Sequence, residues 1–419
     1  MNRRDCLTGG DVSAIAPRRG SLLNGLCGLD RMLATLTLLI PVWALGAGGG
    51  TALPEGWGDP SRYWRLAELA VPPAYRAAKF SDSQYQGLKA LLVEGKGPNG
   101  TAADFFCYYG WPAGPVPSGG FPGVVLVHGG GGTAFPNLTA LWVSLGFAVI
   151  APDWYNQRPA FTNVAPTEAT VSSVPLAGGK RKDHVANVAN MVLAHSLLRS
   201  FPEVNADRTV FVGLSWGSWY GTCVAAVDDR FKGCVEIYCG DLKTPCPGAD
   251  QLVFGQFLPA AKIPMWWAVS TNDRNVTPAT SQAGFDACAR FAGVAIVNDL
   301  PHSHVGFRLP SVQRMARHFT GGAKPLPRLV DARIVGGVVS ARLADPGEGV
   351  DRAVMGYTLS SDPVTWKREW RYRPAKIDGD RVSAALPEGT VQCYLSVYEK
   401  GESRYNDLCG STGFLQGKE

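Results

Sequence analysis

The sequence predicts an α/β fold, a doubly wound and mostly parallel sheet, followed by an all-β sandwich domain. Short and nearly continuous apolar runs, Gly123 to Val127, Phe147 to Ala151, Thr209 to Leu214, Cys234 to Tyr238, Met265 to Ser270 and Val294 to Val297, suit strands buried on both faces. The stretches between them are long enough for right-handed crossover helices. From about Pro325 onward helical spacing gives way to alternation alone, with turns rich in Asp, Gly and Pro.

Taken in chain order, residues 1–47 read as a leader. Met32 to Ala47 is an apolar run between Arg31 and Gly48-Gly49-Gly50, too short to span a bilayer as a helix, and it predicts an exported protein with no stable span. A retained N-terminal anchor is the alternative, and Arg3-Arg4 resembles a twin-arginine signal without the apolar segment that should follow promptly. Residues 48–324 form the expected catalytic domain. It opens with a cover holding a helix over Pro60 to Leu69 and edge strands near Gly87 to Val93 and Phe105 to Trp111. Val188, Met191, Val192, Leu197 and Leu198 recur at helical spacing, which predicts a helix from His184 to Ser200, and Ser218 to Ala226 predicts another. Residues 325–419 should form an immunoglobulin- or fibronectin-like sandwich with strands at Arg333 to Leu343, Ala353 to Leu359, Lys367 to Tyr372, Arg381 to Ala385 and Val391 to Val397. A spacer or lid support is its expected role, ahead of glycan binding.

Chemistry concentrates where the predicted strands end. Gly213-Leu214-Ser215-Trp216-Gly217 fits the Gly-x-Ser-x-Gly nucleophile elbow, in which glycines two residues either side clear space for a serine on a sharp strand-to-helix turn. Ser215 is the expected nucleophile, and the Trp216 N–H would point at the oxyanion of a tetrahedral intermediate. His128-Gly129-Gly130-Gly131-Gly132-Thr133 ends an earlier strand as a second oxyanion loop, with Gly130 and Gly131 as expected donors. It lacks the Gly-Lys-Ser/Thr ending of a phosphate-cradling loop. Asp273, in the polar turn after Met265 to Ser270, is the expected acid; Asp153 reads as a loop-orienting residue. The base should follow it, and His302 and His304 compete, His302 being nearer the strand end. Of the chain's six histidines, His184, His195 and His318 read as helix residues and His128 as structural. A metal site on His302 and His304 lacks a supporting carboxylate or thiol cluster, so no metal or cofactor is expected. Trp216 and Trp154 are the expected substrate-contacting aromatics among 12 tryptophans.

These segments together, HGGGGTAF from His128, VLAHSLLRSFPEV from Val192, the GLSWGS elbow, Val227 to Lys232 and LPHSH, resemble secreted bacterial acetyl xylan esterases and dienelactone-hydrolase-like proteins of the α/β-hydrolase superfamily. The resemblance runs from about Gly123 to Gly322. It implies a Ser-His-Asp triad and acyl-ester hydrolysis, often on carbohydrate esters such as acetylated xylan. His304, followed by Gly306-Phe307, is similar to the His-Gly-Phe ending of dienelactone hydrolases and is preferred as base on that ground. Ser218 departs from the family, where a second glycine is common after the elbow. A serine peptidase of the prolyl-oligopeptidase type shares the triad order, and an inactive carbohydrate-binding protein is the non-enzymatic alternative.

Composition agrees with this reading. The 419 residues are 46% hydrophobic and 18% charged, enough for one large core and a second domain. A net charge of +5 with no basic stretch interleaved with aromatics gives no nucleic-acid signal, so the expected partner is a small-molecule or polysaccharide ester. Beyond the leader lie Cys107, Cys223, Cys234, Cys239, Cys246, Cys288, Cys393 and Cys409, an even set that in an exported chain suggests disulfides, with Cys393–Cys409 and Cys239–Cys246 as the expected pairs.

Overall fold

The apolar runs become the centre of a single mixed sheet in the computed structural model, which describes residues 58–78, 87–97, 100–130, 132–154, 183–241, 252–401 and 405–417. The expected leader, Gly131 and Cys246 lie outside those residues. Strands β1 (Tyr75–Ala77), β2 (Lys89–Lys96) and β3 (Ala102–Gly110) are antiparallel neighbours at one side. β3 pairs antiparallel with β5 (Ala148–Pro152), and from there the order is β5, β4 (Phe121–Val127), β6 (Val204–Leu214), β7 (Cys234–Ile237), β8 (Met265–Ser270) and β9 (Phe291–Val297), all parallel. Val124, Val149, Phe211, Val235 and Trp267 are fully buried, which is why these strands read as continuous apolar runs. Because β4 lies between β5 and β6, the winding reverses there. The crevice beyond the carboxyl ends of β4 and β6 is the switch point at which open α/β sheets place ligands.

Helices follow the expected spacing. α3 (His184–Ser200) and α4 (Trp216–Val227) pack on one another and on β6, while α2 (Pro136–Ser144) packs on β3 and β5. α5 (Pro278–Ala287) leads into β9, and α6 (Pro310–Phe319) lies on β6, β7 and β8. The helix expected over Pro60 to Leu69 is instead a 3₁₀ turn, Pro60–Arg62, and a single turn α1, Leu66–Leu69. His195 fills a buried polar joint inside this packing: its ring nitrogens meet Asp228 and Thr209 at 2.8 Å each, and its face stacks on Phe231 at 3.5 Å.

The C-terminal strands are β10 (Arg328–Val335), β11 (Val338–Asp345), β12 (Val350–Thr358), β13 (Arg371–Asp378), β14 (Arg381–Ala385), β15 (Gln392–Glu399), β16 (Cys409–Ser411) and β17 (Leu415–Gln416). One antiparallel layer runs β10-β11-β14-β13 and the other β13-β12-β15, with β16 and β17 beside β15. Leu329, Val339, Met355, Val382, Leu395 and Val397 are buried together in a separate apolar core. The strand expected over Arg333 to Leu343 is a hairpin, because Gly336 and Gly337 take φ of 57° and 72°, the conformation of a tight primed turn. This region is joined to the parallel sheet: Ser411 of β16 pairs with Val294 of β9, and the Ile296 amide donates to Ser411 Oγ at 3.1 Å. The described residues accordingly form one compact unit.

The expected disulfides are corrected. Cys239, Cys393 and Cys409 are free, buried thiols. Cys409 pairs with Tyr398, five positions along β15 from Cys393, and five strand residues span about 17 Å, far beyond the ~7 Å that a disulfide bridges between α-carbons.

Glu236, in the middle of β7, is fully buried, and burial raises its carboxyl well above the usual range. The Cys234 thiol donates to its Oε1 at 2.7 Å. A carboxyl more basic in the folded than in the unfolded state contributes stability below the ordinary glutamate range and loses it as pH rises. Glu236→Gln should therefore match the wild type at pH 4 and exceed it at neutral pH. The advantage should grow by about 1.4 kcal/mol per pH unit in urea unfolding until the native carboxyl ionises. A constant difference at every pH would show that Glu236 is not held protonated.

Candidate active site

The elbow stands at the carboxyl end of β6. Ser215 has φ 54° and ψ −113°, outside the ordinary regions for a residue with a Cβ. Its amide donates to the Ile237 carbonyl at 2.8 Å, and its carbonyl accepts from the amides of Ser218 and Trp219 at 2.9 and 3.0 Å. Both flanking glycines are required sterically: a Cβ on Gly213 would stand 2.5 Å from the Gly217 carbonyl oxygen, and one on Gly217 would collide with that of Val127. Ser218, the departure from the family pattern, turns its hydroxyl to the Ser215 carbonyl at 2.7 Å and so closes the first turn of α4.

Ser215 Oγ lies 2.8 Å from His302 Nε2, and His302 Nδ1 lies 2.7 Å from Asp273 Oδ2. Asp273 Oδ1 accepts from the amides of Asn275 and Val276 at 2.7 and 3.0 Å, which fixes the carboxylate in the turn after β8. Nδ1 thus carries the proton given to the carboxylate, leaving Nε2 to accept from the serine hydroxyl. Tyr238, at φ 57° just past β7, lays its ring along His302 with 4.5 Å between centroids and donates its hydroxyl to the Pro301 carbonyl at 2.7 Å. Sequence reasoning missed this residue; its signal was an aromatic at the carboxyl end of a buried strand.

The preference for His304 as the imidazole facing Ser215 is corrected. Ser303 Oγ caps the 3₁₀ turn His304–Arg308, so the chain rotates between the two histidines and sends His304 to the glycine loop. There His304 Nε2 accepts the Gly129 amide at 3.2 Å, and its ring packs against Phe135 at 4.5 Å. Burial, aided by His128 and His302, pushes its pKa down to about 4, so it is neutral at pH 7 and suited to accept.

In the glycine loop the Gly132 amide is committed to the Gly129 carbonyl at 3.2 Å, and Gly130 lies between the two engaged amides. The loop is anchored from below by Asp153, whose carboxylate meets His128 Nε2 at 3.1 Å and Thr133 Oγ1 at 2.7 Å. Trp154, expected as a substrate contact, is 5% exposed, donates Nε1 to the His128 carbonyl at 2.8 Å and stacks on that imidazole, which anchors the loop. Trp216 is half-buried, its ring held among His184, Trp219 and Phe254 at 5.5, 5.0 and 6.0 Å. Among the described residues no group of His, Cys, Asp and Glu is arranged to hold a metal ion.

Residues 108–257 match the Dienelactone hydrolase family model. Over that stretch the chain is similar to dienelactone hydrolases. It is a carboxylic ester hydrolase of the α/β type. The matched stretch contains the glycine loop and the elbow but ends before Asp273 and His302, whose placement rests on the distances above. Solved structures similar to this chain include an acetyl xylan esterase from Paenibacillus sp. R4, at 18% identity and TM-score 0.45 over 63% of this chain and 94% of that one. Acetyl xylan esterase 1 from Thermoanaerobacterium sp. JW/SL YS485 is 17% identical with TM-score 0.41 over 62% and 92%. A Mycobacterium tuberculosis puromycin-hydrolyzing peptidase is 18% identical with TM-score 0.43 over 58% and 41%. No curated protein matches the sequence significantly.

The packing of Tyr238 on His302 gives an expected outcome. Tyr238→Phe keeps the ring and should hold kcat for p-nitrophenyl acetate within about twofold, losing about 1 kcal/mol of stability with the Pro301 bond. Tyr238→Ala frees the imidazole and should lower kcat roughly tenfold. Equal rates in the two variants would remove any role for the ring.

Proposed function

We propose that Ser215, His302 and Asp273 form a catalytic triad that deacetylates carbohydrate esters, acetylated xylan among them. The observation that carries this reading is one imidazole within hydrogen-bond distance of both Ser215 Oγ and the Asp273 carboxylate. His302 takes the serine proton as Ser215 Oγ attacks the ester carbonyl, and Asp273 stabilises the imidazolium that forms. The oxyanion meets the Trp216 amide at the positive end of α4 and the Gly130 amide of the loop pinned by His304. Collapse expels the sugar alcohol, which takes the proton from His302. Water, deprotonated by the same imidazole, then frees Ser215 and acetate. The scheme requires no metal or organic cofactor. Support for a carbohydrate alcohol comes from the half-buried Trp216 beside the nucleophile, a flat face suited to sugar C–H surfaces, together with the motif resemblance. Export places such an enzyme where plant polysaccharide occurs, and this part of the reading rests on the apolar run Met32 to Ala47.

Hydrolysis of p-nitrophenyl acetate and acetate release from acetylated xylan test both halves. Ser215→Ala and His302→Ala should each lower kcat by about 10⁴-fold or more. His304→Ala, which only loosens the glycine loop, should lower it by about 10- to 100-fold. An unchanged rate in Ser215→Ala would sink the triad. Turnover of feruloyl esters or peptides in preference to acetylated xylan would sink the substrate.

A further inference from the structure

Two hydrogen-bonded ties run from the β-rich C-terminal region to the loops that carry Asp273 and His302. Asn272, the residue before Asp273, donates its Nδ2 to the carbonyls of Trp366 and Arg368 at 3.1 and 2.9 Å. Tyr372, in β13, donates its hydroxyl to Asn298 Oδ1 at 2.6 Å, and Asn298 opens the loop that leads from β9 to His302. On the hydrolase side the two loops meet at Thr271, which is fully buried. Its Oγ1 lies 2.6 Å from Asn272 Oδ1 and 3.3 Å from Asn298 Oδ1, and it accepts the Asp299 amide at 3.0 Å. Asp299 itself stands at φ 47°, a conformation a non-glycine residue holds only when its surroundings impose it. The acceptors on the other side are fixed as well. Trp366 lies in the 3₁₀ turn Thr365–Lys367, and Arg368 Nε donates to the Asp362 carbonyl at 2.9 Å.

We infer that Asn272 and Tyr372 are positioning residues, through which the C-terminal region sets the separation and alignment of Asp273 and His302. The region is then a brace of the active site, a role beyond that of a spacer. The inference rests on the triad reading, since the loops matter to rate only if those two side chains work together. A near-attack arrangement tolerates little displacement, so a loop released at one of its few lateral ties is felt in the chemical step before it is felt in substrate affinity.

Full-length Asn272→Ala, Tyr372→Phe and the double variant test it, with Ser215→Ala alongside. Expected for p-nitrophenyl acetate is a kcat reduced about tenfold in each single variant and further in the double, with KM changed less than about twofold. Wild-type kcat, or a loss carried by KM with kcat unchanged, whatever happens to Tm, would overturn the inference while leaving the triad standing. Activity surviving in Ser215→Ala would remove the triad and the inference with it. Tyr372→Phe, which deletes one half-exposed hydroxyl, decides the matter alone if Asn272→Ala does not fold.

Discussion

Ser215 occupies a backbone conformation that costs about 1–3 kcal/mol, and the surrounding fold is arranged to impose it. The elbow is gripped on one side by the Ile237 carbonyl at the end of β7 and on the other by the first turn of α4. It exists only because β6, β4 and α4 approach closely enough that no side chain fits at Gly213 or Gly217. In return the serine hydroxyl is presented to His302 at 2.8 Å. Sheet order, glycine placement and helix direction therefore converge on one side chain.

The remaining groups reach that side chain from successive strand ends, and each is held by contacts of its own. Asp273 is held by the backbone of its own turn, His302 by Asp273 and the Tyr238 ring, and the glycine loop by His304, Asp153 and Trp154. The two neighbouring histidines are divided by environment. His302 bridges two polar atoms at the edge of the cleft, whereas His304 is turned inward, and its burial keeps it neutral. Two imidazoles two residues apart can thus serve opposite functions, one exchanging protons and one accepting a fixed amide.

The parts legible in the sequence are those governed by local pattern. Strands buried on both faces announce themselves as apolar runs, α3 by its 3.6-residue spacing over His184 to Ser200, and the elbow by two glycines whose absence would be a collision. What escaped depends on contacts far apart in sequence or on a single dihedral. The choice between His302 and His304 turns on the rotation at Ser303, which no pattern reports, and a resemblance to His-Gly-Phe pointed the wrong way. The Gly336-Gly337 turn is marked locally by two adjacent glycines, but it sits inside a long alternating run that reads as one strand. The free Cys393 and Cys409 follow from strand register, which is set by the whole sandwich. Tyr238 and the ties through Asn272 and Tyr372 are long-range in sequence, the latter spanning 94, 96 and 74 residues.

Peptide mapping after reaction with a fluorophosphonate probe tests the central claim most directly, because such a probe reports on an activated serine whatever the natural ester is. The account predicts stoichiometric modification confined to the peptide containing Ser215, with labelling slowed by about 10³-fold or more when His302 is replaced by Ala. Modification of a different serine, or labelling of Ser215 at an undiminished rate without His302, would contradict it.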